Sequence, residues 1–140
     1  MSSNKILKLI KEKEIEYVDL RFTDPKGKLQ HVTMDKSIVD EEMLNEGIFF
    51  DGSSIAGWKA INESDMILKP DLGREIIDPF TSHNTLILFC DVLDAVKKNP
   101  YERDPRSTAK KAENYLKNSG IGDKAFFGPE AEFFVFDDVK

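Results

Sequence analysis

The stretch that most constrains what this chain can fold into is Thr85–Val92, Thr-Leu-Ile-Leu-Phe-Cys-Asp-Val. Successive side chains on a strand point to opposite faces. Leu86, Leu88, Cys90 and Val92 fall on one face, and Thr85, Ile87 and Phe89 on the other, so the segment is apolar on both. A strand of that kind needs a central place in a sheet. Cys90 sits inside it and reads as core packing rather than chemistry. As the single cysteine of the sequence it excludes an internal disulfide and a Cys-rich zinc site.

The rest of the composition allows such a core. Of 140 residues, 40% are hydrophobic and 33% are charged. Leu, Ile, Val and Phe together make about 29% of the chain, above the roughly 20% below which disorder is expected. The net charge of −6 argues against a nucleic-acid or anionic-membrane partner, since both need a basic footprint. No apolar run approaches the roughly 20 residues of a membrane span. Met1–Lys5 leads straight into an amphipathic segment and lacks the apolar stretch of a signal peptide. A soluble, cytoplasmic protein is the expectation.

Ile6, Leu7 and Ile10 have helical spacing, with Ser3 or Asn4 as cap. Residues 16–23 alternate, placing Tyr17, Asp19 and Arg21 opposite Val18, Leu20 and Phe22. Asp24-Pro25-Lys26-Gly27 is turn chemistry, so residues 29–34 should return as the second strand of a hairpin. Ser37–Asp40 opens a helix that Gly47 closes, with Val39, Met43 and Leu44 buried. Short strands are expected at 66–68 and 75–77, separated by Pro70 and Gly73. Lys97-Lys98-Asn99-Pro100 reads as a domain boundary, and Asp104-Pro105 as a helix start with Ala109, Ala112 and Leu116 inward. Residues 126–136 read as a final strand. The class is α+β, with a strand-rich first domain over 1–102. Residues 103–140 are too few for a second core, which makes them the start of a larger, truncated domain.

Two stretches are candidates for chemistry. In Pro129-Glu130-Ala131-Glu132-Phe133-Phe134-Val135-Phe136, a strand puts Glu130 and Glu132 on one face, roughly 7 Å apart. Carboxylates entering a buried face need partners: arginine, lysine or a hard divalent cation. At a solvated strand mouth they need none, and the pattern leaves both readings open. The loop Asp51-Gly52-Ser53-Ser54-Ile55-Ala56-Gly57-Trp58 is ordinary turn vocabulary, yet sites are often mounted on such loops. His31 and His83 have no ligand-spaced companion and read as structural or surface residues. Arg103 and Arg106, flanking the helix start, read either as phosphate binders or as salt-bridged surface residues. Neither GxxxxGK[ST] nor GxGxxG occurs, so no P-loop or Rossmann cradle is offered.

Taken in order and spacing, Phe50–Trp58, Asn62-Glu63-Ser64-Asp65-Met66, Asp78-Pro79-Phe80, Arg103-Asp104-Pro105-Arg106 and Gly128–Phe134 resemble the amino-terminal portion of bacterial class I glutamine synthetases. The resemblance covers essentially the whole chain. It implies a β-grasp-like N-terminal domain followed by the first helix and strand of the catalytic domain. Family members ligate ammonia to glutamate with ATP through a γ-glutamyl phosphate, using two or more Mg²⁺ or Mn²⁺ ions. By similarity Glu132 serves the ion nearer glutamate, and Glu130 the ion nearer the transferring phosphate. The resemblance makes Asp51 the residue that binds ammonium and takes its proton, with Ser54 and Trp58 lining the same site. It also implies a homo-oligomer, a double ring of twelve, in which the Asp51 loop reaches the neighbouring subunit's site. The chain alone is expected to be inactive. Two alternatives stand beside this: a related γ-glutamyl ligase using another amine, and a stand-alone β-grasp interaction module.

Overall fold

The computed structural model describes residues 2–58 and 64–140. Two compact units divide the chain, Met1–Lys110 and Lys111–Lys140. In the first, helix α1 (Ser3–Glu12) leads into strand β1 (Tyr17–Thr23), which turns back as β2 (Leu29–Asp35). A 3₁₀ turn (Lys36–Ile38), helix α2 (Glu41–Glu46) and strand β3 (Ile48–Asp51) follow. Strands β4 (Asp65–Ile77) and β5 (Thr85–Asp94) complete a mixed sheet of order β2-β1-β5-β4-β3. β5 is the middle strand, parallel to β1 and antiparallel to β4. Helix α3 (Pro105–Ser119) runs from the first unit into the second.

The alternation in β1 sorts the sheet's two faces. Val18, Leu20 and Phe22 join Leu86, Leu88, Cys90 and Val92 of β5 and Met66 and Leu68 of β4 in one core. Ile6 and Ile10 of α1 and Met43 and Leu44 of α2 belong to the same core. At roughly 25 cal/mol per Å² of apolar surface removed from water, this burial is the main force that closes the unit.

Local chemistry explains the element ends. The Asp40 carboxylate accepts from the Met43 amide at 2.8 Å and starts α2 one turn later than the sequence suggests, because Lys36–Ile38 is wound as a separate 3₁₀ turn. Gly47 ends the helix at φ +87°, a conformation open to glycine. The two short strands expected around Pro70 and Gly73 are instead the single strand β4. Its pairing with β5 shifts register between Pro70, opposite Cys90, and Glu75, opposite Leu88. The bulge takes up the residues that cannot continue the ladder, and the strand goes on beyond it.

Two expectations fail in the second half of the chain. Ala109 and Ala112 are exposed, and of the residues expected inward only Leu116 is partly covered. Residues 126–136 form no strand: a strand is defined by a paired neighbour, and the segment has none. Phe133, Phe134 and Phe136 accordingly stand exposed.

Candidate active site

The sharpest local construction lies at the end of β3. The edge strand pairs with β4 as far as Asp51 opposite Asp65. Gly52 then passes under Met66 so closely that a β-carbon there would collide with the methionine side chain. The Gly52 amide donates to the Ser64 carbonyl at 2.7 Å. Beyond it the chain winds in three-residue steps, the Ile55 amide donating to the Gly52 carbonyl and the Trp58 amide to the Ile55 carbonyl, each at 3.2 Å. Asp51 and Ser54 face solvent, whereas Ile55 and Trp58 are buried.

Trp58 anchors this loop in an aromatic cluster. Its ring centroid lies 5.6 Å from Phe22, 6.1 Å from Phe50 and 5.6 Å from Tyr101. Its indole N–H is buried without a hydrogen-bond partner among the described residues. The structure therefore makes Trp58 the loop's hydrophobic foot, and Asp51 and Ser54 its exposed polar groups. Asn62 and Glu63 of the neighbouring motif lie outside the described residues.

The electrostatics of Asp51 are set by its neighbour. Its Oδ1 accepts from the Ser53 hydroxyl at 2.6 Å and from the Ser53 amide at 2.8 Å. These bonds hold its pKa below the ordinary carboxylate range, since they stabilise the charged form. An exposed, firmly ionised carboxylate suits a small cation such as ammonium. The same bonds weaken it as a proton acceptor, because basicity falls with pKa.

Glu130 and Glu132 lie in the second unit, both exposed. Among the described residues no group of three or more His, Cys, Asp or Glu side chains could hold a metal ion. In donor chemistry the two glutamates fit Mg²⁺ or Mn²⁺, which take hard oxygen ligands. In number they supply only part of an octahedral shell.

Sequence reading missed a second polar construction. Asp19, 3% exposed, accepts from Arg21 Nε at 2.6 Å and Thr33 Oγ1 at 2.7 Å, and pairs with His31 Nδ1 at 2.8 Å. Arg21 also donates to Asp78 at 2.7 Å. Burial pushes the Asp19 pKa up, but the bonds from Thr33, Arg21 and His31 outweigh it and hold the group below its ordinary value. The signal was available: alternation puts Asp19 and Arg21 on one face, and Asp78 belongs to a quoted motif. His83 pairs with Glu16 at 3.2 Å. Arg106 bridges Asp71 and Asp91, with Lys110 also on Asp91. Arg103 donates to the Gly57 carbonyl at 2.9 Å. Arg106 is thus committed to carboxylates, whereas Arg103, exposed, spends one N–H on a neutral carbonyl.

Known proteins match this arrangement along the whole chain. The family model described as glutamine synthetase, beta-Grasp domain, matches residues 14–95, and the one described as glutamine synthetase, catalytic domain, matches residues 102–140. Over 139 residues the chain is 66% identical to the glutamine synthetase of Rhizobium meliloti (strain 1021), covering 99% of this chain and 30% of that protein. Over 140 residues it is 54% identical to the glutamine synthetase of Escherichia coli (strain K12), covering 100% of this chain and 30% of that one. The fold also matches the cryo-EM structure of Plasmodium falciparum glutamine synthetase at a TM-score of 0.76 and 24% identity, over 86% of this chain and 23% of the other. The chain thus spans about 30% of the length of the curated relatives it matches. A β-grasp sheet whose edge strand delivers the Asp51 loop, followed from residue 102 by a stretch matching the catalytic domain, places this chain in the glutamine synthetase family.

Proposed function

We propose that this chain is the amino-terminal part of an enzyme that ligates ammonia to glutamate, using ATP and passing through a γ-glutamyl phosphate. The observation that carries the reading is the Asp51 loop: an exposed carboxylate, ionised by its own hydrogen bonds, on a chain that the family's two domains match over residues 14–95 and 102–140. Asp51 receives ammonium as its counter-ion and takes its proton, giving the ammonia that attacks the γ-glutamyl phosphate and displaces phosphate. Ser54, exposed on the same loop, lines the site, and Trp58 completes it from beneath as the loop's buried foot. The domain division falls at 102/103, where the loop-bearing sheet gives way to the helix capped by Asp104. Glu130 and Glu132 contribute carboxylate oxygens to divalent cations, Mg²⁺ or Mn²⁺, which when bound neutralise charge on the transferring phosphoryl group. The enzyme is cytoplasmic and a double ring of twelve subunits, and the Asp51 loop serves the neighbouring subunit's site. The exposure of Asp51 supports that reading, since a carboxylate at a sheet edge is free to meet another chain.

The test replaces the matching segment of the Rhizobium meliloti enzyme with this chain and measures product from glutamate, ATP and either ammonium or alkylamines. Glutamine formation with ammonium preferred is expected. Preference for an alkylamine would move the assignment to a γ-glutamyl ligase of another amine. A folded, assembled chimera that makes no γ-glutamyl product would overturn it. In the same chimera, Glu132→Ala should weaken Mn²⁺ binding in calorimetry, and unchanged affinity would remove Glu132 from the ligand set.

A further inference from the structure

The segment between β5 and α3 is fastened at both ends and holds the far end of the Asp51 loop. The Tyr101 amide donates to the Val92 carbonyl of β5 at 2.8 Å, and Pro100 bridges to Leu93. On its other side Asp104, 0% exposed, caps α3 by accepting from the Ser107 amide at 2.9 Å and hydroxyl at 2.7 Å. Between these ties, two side chains reach the loop. Tyr101 Oη donates to the Trp58 carbonyl at 3.1 Å within the core, and Arg103 Nη1 donates to the Gly57 carbonyl at 2.9 Å. The Tyr101 ring also meets the Trp58 indole edge-on, centroids 5.6 Å apart and planes at 72°.

Both donors act on consecutive carbonyls at the end of the hydrogen-bonded steps that run from Trp58 through Ile55 to Gly52. Gly52 adjoins Asp51 and is itself pinned under Met66. Fixing residues 57 and 58 therefore fixes the last rung of a ladder whose first rung ends on the Gly52 carbonyl, one residue from the carboxylate. We propose that Tyr101 and Arg103 are positioning residues for ammonium use, orienting the Asp51 loop through the Gly57 and Trp58 carbonyls. This rests on the functional reading above. In this role neither residue is assigned a contact with the reacting atoms. Their contribution is orientation, and small displacements of a positioned charge are costly in a closed site.

The test uses the full-length chimera, with steady-state KM for ammonium and for ATP measured in parallel with thermal unfolding. A residue that only stabilises the fold lowers the number of active molecules and hence the apparent kcat, leaving KM for ammonium where it was. A positioning residue raises that KM. Tyr101→Phe removes one oxygen and Arg103→Ala one cation. Each should raise KM for ammonium about fivefold, the effect of losing one hydrogen bond, with KM for ATP within about twofold. Arg103→Lys, which keeps a donor, should recover part of the loss. Asp51→Asn separates the two levels of the argument. If it raises KM for ammonium while Tyr101→Phe and Arg103→Ala do not, the positioning role is wrong and the functional reading stands. If Asp51→Asn also leaves that KM unchanged, the functional reading itself falls. Equal increases for ammonium and ATP in the Tyr101 and Arg103 variants would likewise overturn the positioning role. Should Arg103→Ala fail to fold, Tyr101→Phe and Arg103→Lys still decide, since both retain the bulk of the side chain.

Discussion

Ser53 donates twice to one oxygen of Asp51, and that arrangement makes a carboxylate better at holding a cation than at taking a proton. Ser53→Ala removes the hydroxyl bond and keeps the amide bond, so the Asp51 pKa should rise toward the ordinary value of about 3.9 without passing it. A carbon-detected NMR titration of Asp51 checks this, and an unchanged midpoint would deny the hydroxyl its role. Asp19 is the buried counterpart. Its pKa is depressed, so it stabilises the fold fully above its unfolded value of about 3.9, and that contribution is lost as the pH falls through the lower folded value. Asp19→Asn should cost about 3 kcal/mol at neutral pH, the typical loss when a buried ion pair is broken. It should also flatten the stability of the fold below about pH 3.9, where the wild-type contribution is lost. Urea unfolding at several pH values measures both, and a pH-independent difference would mean that the charge of Asp19 is irrelevant. At this scale the two sites were unequally legible. Asp51 stands out in sequence because its neighbours form a recognisable string. The Asp19 network joins residues 19, 21, 31, 33 and 78, which only the pairing of β1 with β2 and the approach of the Asp78 turn bring together.

Elements were legible where a local rule decides them. The alternation in β1, the two-faced apolar run of β5, and the Asp104-Pro105 start of α3 all appear in the structure as the residues dictate. They were misread where a partner decides. Pro70 and Gly73 would end an isolated strand, but β5 runs alongside and carries β4 past the bulge. Residues 126–136 have strand composition but no neighbour to pair with, so composition alone leaves them unstructured. Gly47 shows a local rule and a tertiary one acting on the same residue. Its φ of +87° and ψ of −172° lie in a region essentially reserved for glycine, and a β-carbon there would strike the Leu68 carbonyl of β4. Gly47→Ala is therefore expected to cost about 3 kcal/mol, combining backbone strain with the displacement of β4. Denaturant unfolding of the variant gives the number. A loss below about 0.5 kcal/mol, as for an ordinary surface change, would show that the helix end relaxes freely.

The molecule as a whole is uneven in where it keeps its apolar surface. Met1–Lys110 buries a continuous core, while Lys111–Lys140 carries Phe126, Phe127, Phe133 and Phe134 at 83–92% exposure and Phe136 at 68%. Soluble proteins rarely leave contiguous apolar surface of this kind uncovered. The same segment has strand composition, with four consecutive apolar residues at 133–136 and backbone groups that no strand satisfies. Unpaired strand-forming segments associate with one another, edge to edge, because pairing satisfies both needs at once. The 140-residue polypeptide should therefore self-associate as its concentration rises, and a version ending at Lys124 should not, since it keeps the whole of the β-grasp core and loses the phenylalanines. Sedimentation velocity over a hundredfold concentration range distinguishes them. Replacing Phe134 and Phe136 by Ser in the 140-residue chain should abolish most of the association while leaving the thermal unfolding of the sheet unchanged. If both chains sediment as monomers throughout, the exposed aromatics are tolerated in water and the segment carries no drive to pair. If both associate equally, the contact lies on the sheet unit, where Phe80, Val96, Phe49 and Ile38 are the most exposed apolar residues and the ones to substitute next.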